Sequence, residues 1–168
     1  MVKIYQYQDH SALREKASSV KKEEIGSKKL LKIISDMKKA LASQDDGVAI
    51  AAPQIGVPLR IFVVSGKAFA IDNDEDEKAS DYEDMVFINP KIEKTSRKKE
   101  VMDEGCLSVR GKYGKVKRPE KTTITALDEN GKKFKYGGSG LLSQIFQHET
   151  DHLDGILFID KATDIENI

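Results

Sequence analysis

The sequence predicts an α+β fold in a single domain spanning residues 1–168: an N-terminal helix, mixed or antiparallel strands, and a late helix carrying a paired-histidine motif. Three observations carry that reading. Residues 28–42, "KKLLKIISDMKKALA", repeat apolar side chains at helical spacing. From residue 60 onward the chain turns to short runs of branched and aromatic residues separated by turn signals. Finally, "QHETDHLDG" (147–155) holds two of the chain's three histidines, four apart, with a glutamate directly after the first.

Each element follows from its own letters. In 28–42, Leu30, Ile33, Ile34, Met37 and Leu41 share one face and lysines occupy the other, so the stripe packs on a core. "DDG" (45–47) reads as the stop, with glycine suited to a C-terminal cap. "RIFVV" (60–64) and "MVFINP" (85–90) have strand composition. Between them "DNDEDEKASDYED" (72–84) is acidic and nearly free of apolar residues, which reads as an exposed loop. "KTTITALDENGKKFKY" (121–136) is a hairpin, with Asn130-Gly131 suited to the positive φ angles of a type I′ turn. "GGSG" (137–140) breaks the chain, and Ser139 is placed to cap a helix running from about 140 to 153. Gly155 ends that helix, and "ILFID" (156–160) is a further strand or a closing turn.

Composition narrows the function classes. At 168 residues the chain can bury one sizeable core. Lys+Arg and Asp+Glu both number 28, so the formal net charge is zero and a large basic field for nucleic acid is not expected. Arg97, Lys98 and Lys99 read as a solvated turn. No apolar window approaches the length of a membrane span, and the N-terminus lacks a signal-peptide h-region. A single cysteine suits a reducing compartment. The expectation is a cytoplasmic, bacterial-type monomer.

On the late helix Leu141, Ile145, His148 and His152 fall on one inward stripe. His148 and His152 lie one turn apart and can close on the same ion, while Glu149 sits about 100° around the helix, beside the ion. That division of labour suits hydrolysis, with two imidazoles holding a metal and a carboxylate moving protons. The bland alternative is a pair of hydrogen-bonded core histidines with Glu149 exposed. A third ligand is not found downstream. Position 158 is Phe, not His, and Glu166 stands near the terminus with no helical pattern around it. Upstream, Cys106 in "DEGCLS" (103–108) is the strongest candidate, because a thiolate with two imidazoles leaves an open position for water. Cys106 acting as a nucleophile is the competing reading. In "GVAIAAPQIG" (47–56), small residues allow close backbone approach and Gln54 carries an amide able to donate to an oxyanion.

These three stretches together resemble the peptide deformylases, which show a "GxGxAAPQ"-like segment, then "EGCLS", then "QHExDHLxG" in this order. The likeness extends through "VKRP" (116–119) and "GILFID" (155–160), over about residues 25–161. It implies a metal-dependent hydrolase that removes the formyl group from the N-terminal methionine of nascent polypeptides, releasing formate. It also implies Cys106, His148 and His152 as metal ligands and Fe(II) as the ion, with Zn(II) or Ni(II) as replacements, although the ligand spacing by itself favours zinc. Gln54 and the Leu107 backbone N–H would receive the oxyanion, and Glu149 would carry the proton. Gly47, Val48, Ala49, Leu141 and Ile145 are the expected substrate contacts, the apolar ones as walls for the methionine side chain. The partners implied are formyl-Met nascent peptides at the ribosome. The sequence departs from the family pattern at Ala49, where the second glycine is expected, at Arg110, where proline is common, and at Gln144, where an apolar residue is frequent. Two other functions fit parts of the pattern: a zinc endopeptidase of the "HExxH" type, and a non-catalytic protein-binding module with a structural metal. A Glu104–Arg118 ion pair that fixes the "EGCLS" segment behind the metal is expected as well.

Overall fold

The computed structural model describes residues 1–72 and 82–168. The acidic stretch at 72–84 therefore falls largely outside the described residues. In chain order the elements are α1 (Lys28–Ala42), β1 (Ala49–Ala51), β2 (Ile61–Val64), α2 (Gly66–Asp72), β3 (Met85–Thr95), β4 (Lys99–Glu104), β5 (Lys112–Pro119), β6 (Lys121–Leu127), β7 (Lys133–Ser139), α3 (Leu141–Leu153) and β8 (Thr163–Asn167). Short 3₁₀ turns at Ala52–Ile55 and Phe158–Asp160 complete the part that matters for the site.

The strands form two sheets, ordered β1-β2-β3-β6-β7 and β4-β5-β8. Every pairing between named strands is antiparallel, and one parallel bridge, Ser18 with Leu59, lies outside them. The expected α+β architecture is what the chain adopts.

Why "RIFVV" is apolar without a break follows from its place. β1 and β2 lie between two helices. Ala49, Ala51, Phe62 and Val64 face α3 and pack with Leu142, Ile145, Phe146 and Leu153. Ile50, Ile61 and Val63 face the other way and pack with Leu30, Ile34, Met37 and Leu41 of α1. Strands covered on both faces lose the alternation of polar and apolar residues. β6 and β7, covered on one face only, keep it: Thr122, Ile124 and Ala126 are buried while their neighbours are not. The Phe62 and Phe87 rings stack at 4.6 Å, and Phe146 of α3 tilts onto Phe87 at 5.4 Å, which seats the histidine helix on the sheet.

Several local expectations give way to other devices. α1 ends at Ala42, and the Ser43 hydroxyl donates to the Ala40 carbonyl at 2.6 Å. Gly47 is not the cap and has no positive φ; a Cβ there would lie 3.0 Å from the Leu41 side chain, so its glycine serves close packing. The hairpin turn is not type I′, because of its central pair only Gly131 (φ 81°) is left-handed. The Gly131 N–H donates to the Asp128 carbonyl and the Asp128 carboxylate accepts from the Asn130 and Lys132 N–H groups, a three-residue loop with a left-handed glycine at its end. Ser139 closes β7, and Gly140 (φ 56°) is the N-cap of α3 without a side-chain bond. Gly155 (φ 74°) does follow the helix, and a Cβ there would meet the Arg14 carbonyl at 2.7 Å. "ILFID" resolves as the closing turn, not a strand.

Candidate active site

Three segments meet at one cavity: the turn after β1, the loop after β4 and the middle of α3. Cys106 Sγ, a ring nitrogen of His148 and a ring nitrogen of His152 all lie within 4.8 Å of one another. The Cys106 sulfur is 3.2 Å from His152 Nε2. The paired histidines are therefore not merely packed in the core, and the sulfur of the upstream segment stands beside them.

The chain arranges this from β4. That strand ends at Glu104, and Gly105 then turns under the Tyr113 ring, where a Cβ would come within 2.7 Å of a ring carbon. Glycine fits there without displacing the Tyr113 ring, and the turn delivers Cys106 toward α3. Glu104 is itself fixed. Arg118 of β5 donates to it twice, Nε to Oε1 at 2.8 Å and Nη2 to Oε2 at 2.7 Å, and both side chains are nearly fully buried. Glu104 Oε2 also lies 2.7 Å from His148 Nδ1. A carboxylate there accepts a hydrogen bond from Nδ1–H, fixing the tautomer that leaves Nε2 free to face an ion. Burial pushes the Glu104 carboxyl up, but Arg118 and His148 outweigh it and hold the pKa at about 2. The expected Glu104–Arg118 ion pair is present, and it reaches a histidine ring the sequence reading had not connected to it.

Glu149 is buried, not exposed, and lies 3.6 Å from His148 Nε2. Burial raises its pKa to about 7. Among the described residues its Oε1 has no hydrogen-bond partner, and neither does His152 Nδ1. Burial would lower the His148 pKa, but Cys106, Glu104 and Glu149 around it raise it well above the ordinary value. Burial and the neighbouring His148 hold His152 well below it. A cation on the three ligand atoms would answer the electron-rich groups crowded at His148, so the donor set fits a divalent metal.

Gln54 sits in the 3₁₀ turn after β1, and its orientation follows from its partners. Oε1 accepts from the Ala51 N–H at 2.8 Å, so the NH₂ must point the other way, toward Ser108 Oγ at 3.1 Å and Cys106 Sγ at 3.7 Å. The Leu107 N–H makes no backbone or side-chain hydrogen bond among the described residues. Gly47, Val48, Ala49, Leu141 and Ile145 all line the cavity, together with Gln54, Glu149 and His148. Ala49 has no positive φ and lies at the cavity wall, so its departure from glycine concerns space, not backbone strain.

Some contributors carried no readable signal. The Ser108 N–H donates to the Cys106 sulfur at 3.4 Å and its hydroxyl holds Gln54. Gln6 donates to the Leu107 carbonyl and accepts from the Arg110 N–H, while the Tyr5 N–H donates to the Gln54 carbonyl. The N-terminal strap thus holds two site loops at once, through the Gln6 side chain and backbone bonds from Tyr5 and Tyr7, none of which leaves a local residue pattern. Arg110 pairs with Asp46 at 2.8 Å and with Gln44 at 2.6 Å at the cavity mouth.

Comparison with known proteins agrees with this geometry. The family model described as polypeptide deformylase matches residues 1–167. Peptide deformylase 2 of Clostridium acetobutylicum is 41% identical over 153 residues, covering 90% of this chain and 89% of that protein. The chloroplastic peptide deformylase 1A of Solanum lycopersicum is 42% identical over 154 residues, but the match spans 89% of this chain and only 55% of the longer plant protein. Among solved structures, a Synechococcus elongatus peptide deformylase in complex with actinonin aligns with a TM-score of 0.79 and 34% identity, over 97% of this chain and 79% of that one. An Acinetobacter baumannii deformylase with Met-Ala-Ser bound aligns with a TM-score of 0.82 and 28% identity, over 96% and 99%. No helix among the described residues is long and apolar enough to cross a membrane. The chain belongs to the peptide deformylase family, metal-dependent hydrolases that remove the formyl group from the N-terminus of nascent polypeptides.

Proposed function

We propose that residues 1–168 act as one catalytic unit that hydrolyses the formyl amide of formylmethionyl peptides, with Cys106, His148 and His152 as metal ligands. The observation that carries this reading is the convergence of the three ligand atoms within 4.8 Å, beside a buried glutamate with an unpartnered oxygen. The ion, Fe(II) by family resemblance with Zn(II) or Ni(II) able to replace it, would supply Lewis-acid activation of water and of the formyl carbonyl in the position three protein ligands leave open.

The remaining work belongs to the protein. Glu149 accepts the proton of the attacking water and returns it to the departing amine nitrogen. A carboxyl near pH 7 in affinity can do both. The Gln54 NH₂, with its carbonyl already occupied by Ala51, and the Leu107 N–H donate to the formyl oxygen as negative charge builds on it. Each such donor is typically worth roughly 3–4 kcal/mol in the transition state. Gly47 and Ala49 border the peptide, and Val48, Leu141 and Ile145 wall the methionine side chain. The Met-Ala-Ser held by the Acinetobacter baumannii relative supports a short N-terminal peptide as occupant. The enzyme acts as a cytoplasmic monomer on chains emerging from the ribosome.

The test is formate release from a formyl-Met tripeptide by protein reconstituted anaerobically with Fe(II), Ni(II) or Zn(II), against acetylated and free-amine peptides. Release confined to the formyl substrate is expected. Cleavage of internal peptide bonds would move the assignment to an endopeptidase.

A further inference from the structure

Gln144 stands one helical turn before His148, on the cavity wall, at a position where the family pattern suggests an apolar side chain. Its amide is spent on two bonds. Nε2 donates to the Asp103 carbonyl at 2.9 Å and to Glu104 Oε1 at 3.1 Å. The two acceptors are neighbours at the end of β4, just before Cys106. Gln144 therefore bridges the helix that carries both histidines to the strand end that delivers the sulfur.

The effect on Glu104 is specific. Its Oε1 receives Arg118 Nε and Gln144 Nε2; its Oε2 receives Arg118 Nη2 and faces His148 Nδ1. Four contacts on a carboxylate with about four lone-pair positions leave it a single orientation. Arg118 anchors Glu104 from β5, whereas Gln144 and His148 grip it from α3, a turn apart. Other bonds tie α3 to β5 and β6, through Asp151 to Arg118, Ser143 and Gln147 to Pro119, and both to Thr122, but the His148–Glu104 bond alone would link it to β4. A second grip, with a third bond to the Asp103 backbone, fixes the register of α3 against β4. That register sets how far the Cys106 sulfur stands from the two rings. Gln144 is buried, so these bonds are not diluted by water.

We propose that Gln144 is a positioning residue for the metal ligands, locking the histidine helix to the cysteine segment through Asp103 and Glu104. The inference rests on the proposed ligand set of Cys106, His148 and His152.

Two variants test it. Gln144→Met keeps an unbranched side chain of similar length and removes both donors. Gln144→Asn keeps the amide but is one carbon too short to span both acceptors, and it covers the case in which the methionine variant folds poorly. Metal-free protein is titrated with Co(II) in competition with a chelator, following the thiolate-to-cobalt absorption. Melting of the metal-free proteins, and kcat and KM for a formyl-Met tripeptide at saturating Co(II), are measured alongside. Partners of metal-ligating histidines typically govern affinity 10–100-fold, and Gln144 acts through one of them, so about tenfold weaker Co(II) binding is expected in both variants, with a shifted band and a lower kcat. Wild-type affinity and band in both variants, with only KM altered, would reduce Gln144 to pocket wall and overturn the proposal. Wild-type protein that takes up Co(II) without a thiolate band would instead overturn the ligand assignment, and the inference with it.

Discussion

Removing the arginine behind the proposed metal ligands is the sharpest test of how the site is held. Arg118 and Glu104 are both close to fully buried and share two bonds of 2.8 and 2.7 Å, and Arg118 Nη1 reaches Asp151 at 3.1 Å. Arg118→Met fills most of the same space and leaves Glu104 as a buried carboxylate with its cationic partner gone. Breaking a buried pair from one side typically costs about 3–5 kcal/mol. The same network sets the pH dependence. Against the cost of burial, Arg118 and His148 bring the Glu104 pKa from 4.5 to about 2, and at roughly 1.4 kcal/mol per pH unit that is about 3 kcal/mol of preference for the charged folded form. Because the folded value is depressed, this contribution is complete above pH 4.5 and disappears as the pH falls through 2, so the variant and wild type should converge in acid. The assay is urea unfolding of the metal-free proteins at pH 7, with a fall in melting temperature on the order of 10 °C as the thermal counterpart. The double variant Glu104→Leu/Arg118→Met should lose less than the sum of the two single changes, with a coupling on the order of 2 kcal/mol. A cost below about 1 kcal/mol for Arg118→Met, or strict additivity, would refute the view that this pair carries the site.

Glu149→Ala should keep the metal and the fold while activity falls by roughly 10²–10⁴, and metal analysis checks it, since loss of the ion would make Glu149 a ligand. Cys106→Ser should bind iron weakly or not at all, because a hydroxyl is a far poorer donor than a thiolate, and full metal retention removes the cysteine from the ligand set. Ala49→Gly should shift KM modestly and cost about 0.5–1 kcal/mol in chain entropy, since Ala49 lies in β1 with no positive φ; a stability gain would show the backbone was strained there. Arg110→Ala should alter KM and its salt dependence with under 1 kcal/mol lost in unfolding, because both Arg110 and Asp46 are about half exposed.

The parts of this molecule legible in the sequence are those where one physical cause dominates. The α1 stripe was readable because five apolar side chains meet one sheet face, and its range is matched residue for residue. The three residues proposed as ligands stand out because "HETDH" and "EGCLS" are short, local and chemically unusual, and the fold brings them together. Turn geometry was less so. Asn130-Gly131 suggests type I′, yet Asp128 bonding two later N–H groups draws the chain into a different loop. Ser139 looks like a cap, but the last pairing of β7, with Lys121, holds it in the strand. β4, β5 and β8 are hard to see as a sheet because β8 is exposed throughout, β4 buries only Glu104, and the inward residues of β5 include Gly114 and Arg118, not an apolar row. The roles of Gln6 and Ser108 rest on contacts made across long sequence separations, with no local pattern to announce them.

The three departures from the family pattern also say where this chain is free to vary. Ala49, Arg110 and Gln144 all line the same cavity, and none is a proposed ligand, oxyanion donor or proton carrier. Ala49 adds a methyl to the wall beside Gln54. Arg110 puts a guanidinium, tethered to Asp46 and Gln44, at the mouth. Gln144 turns an apolar wall position into a brace on Glu104. Although Glu149 Oε1 and His152 Nδ1 have no partner among the described residues, other groups around the site are held by buried partners: Gln54 by Ala51 and Ser108, His148 by Glu104, Glu104 by Arg118. Changing any of them leaves a buried polar group unpaired, which costs more than a wall contact is worth. At these three positions the side chains adjust what fits the cavity and how firmly the proposed ligands are held. On this account the chain should differ from its relatives first in KM, in inhibitor affinity and in metal retention, and last in the bond it breaks.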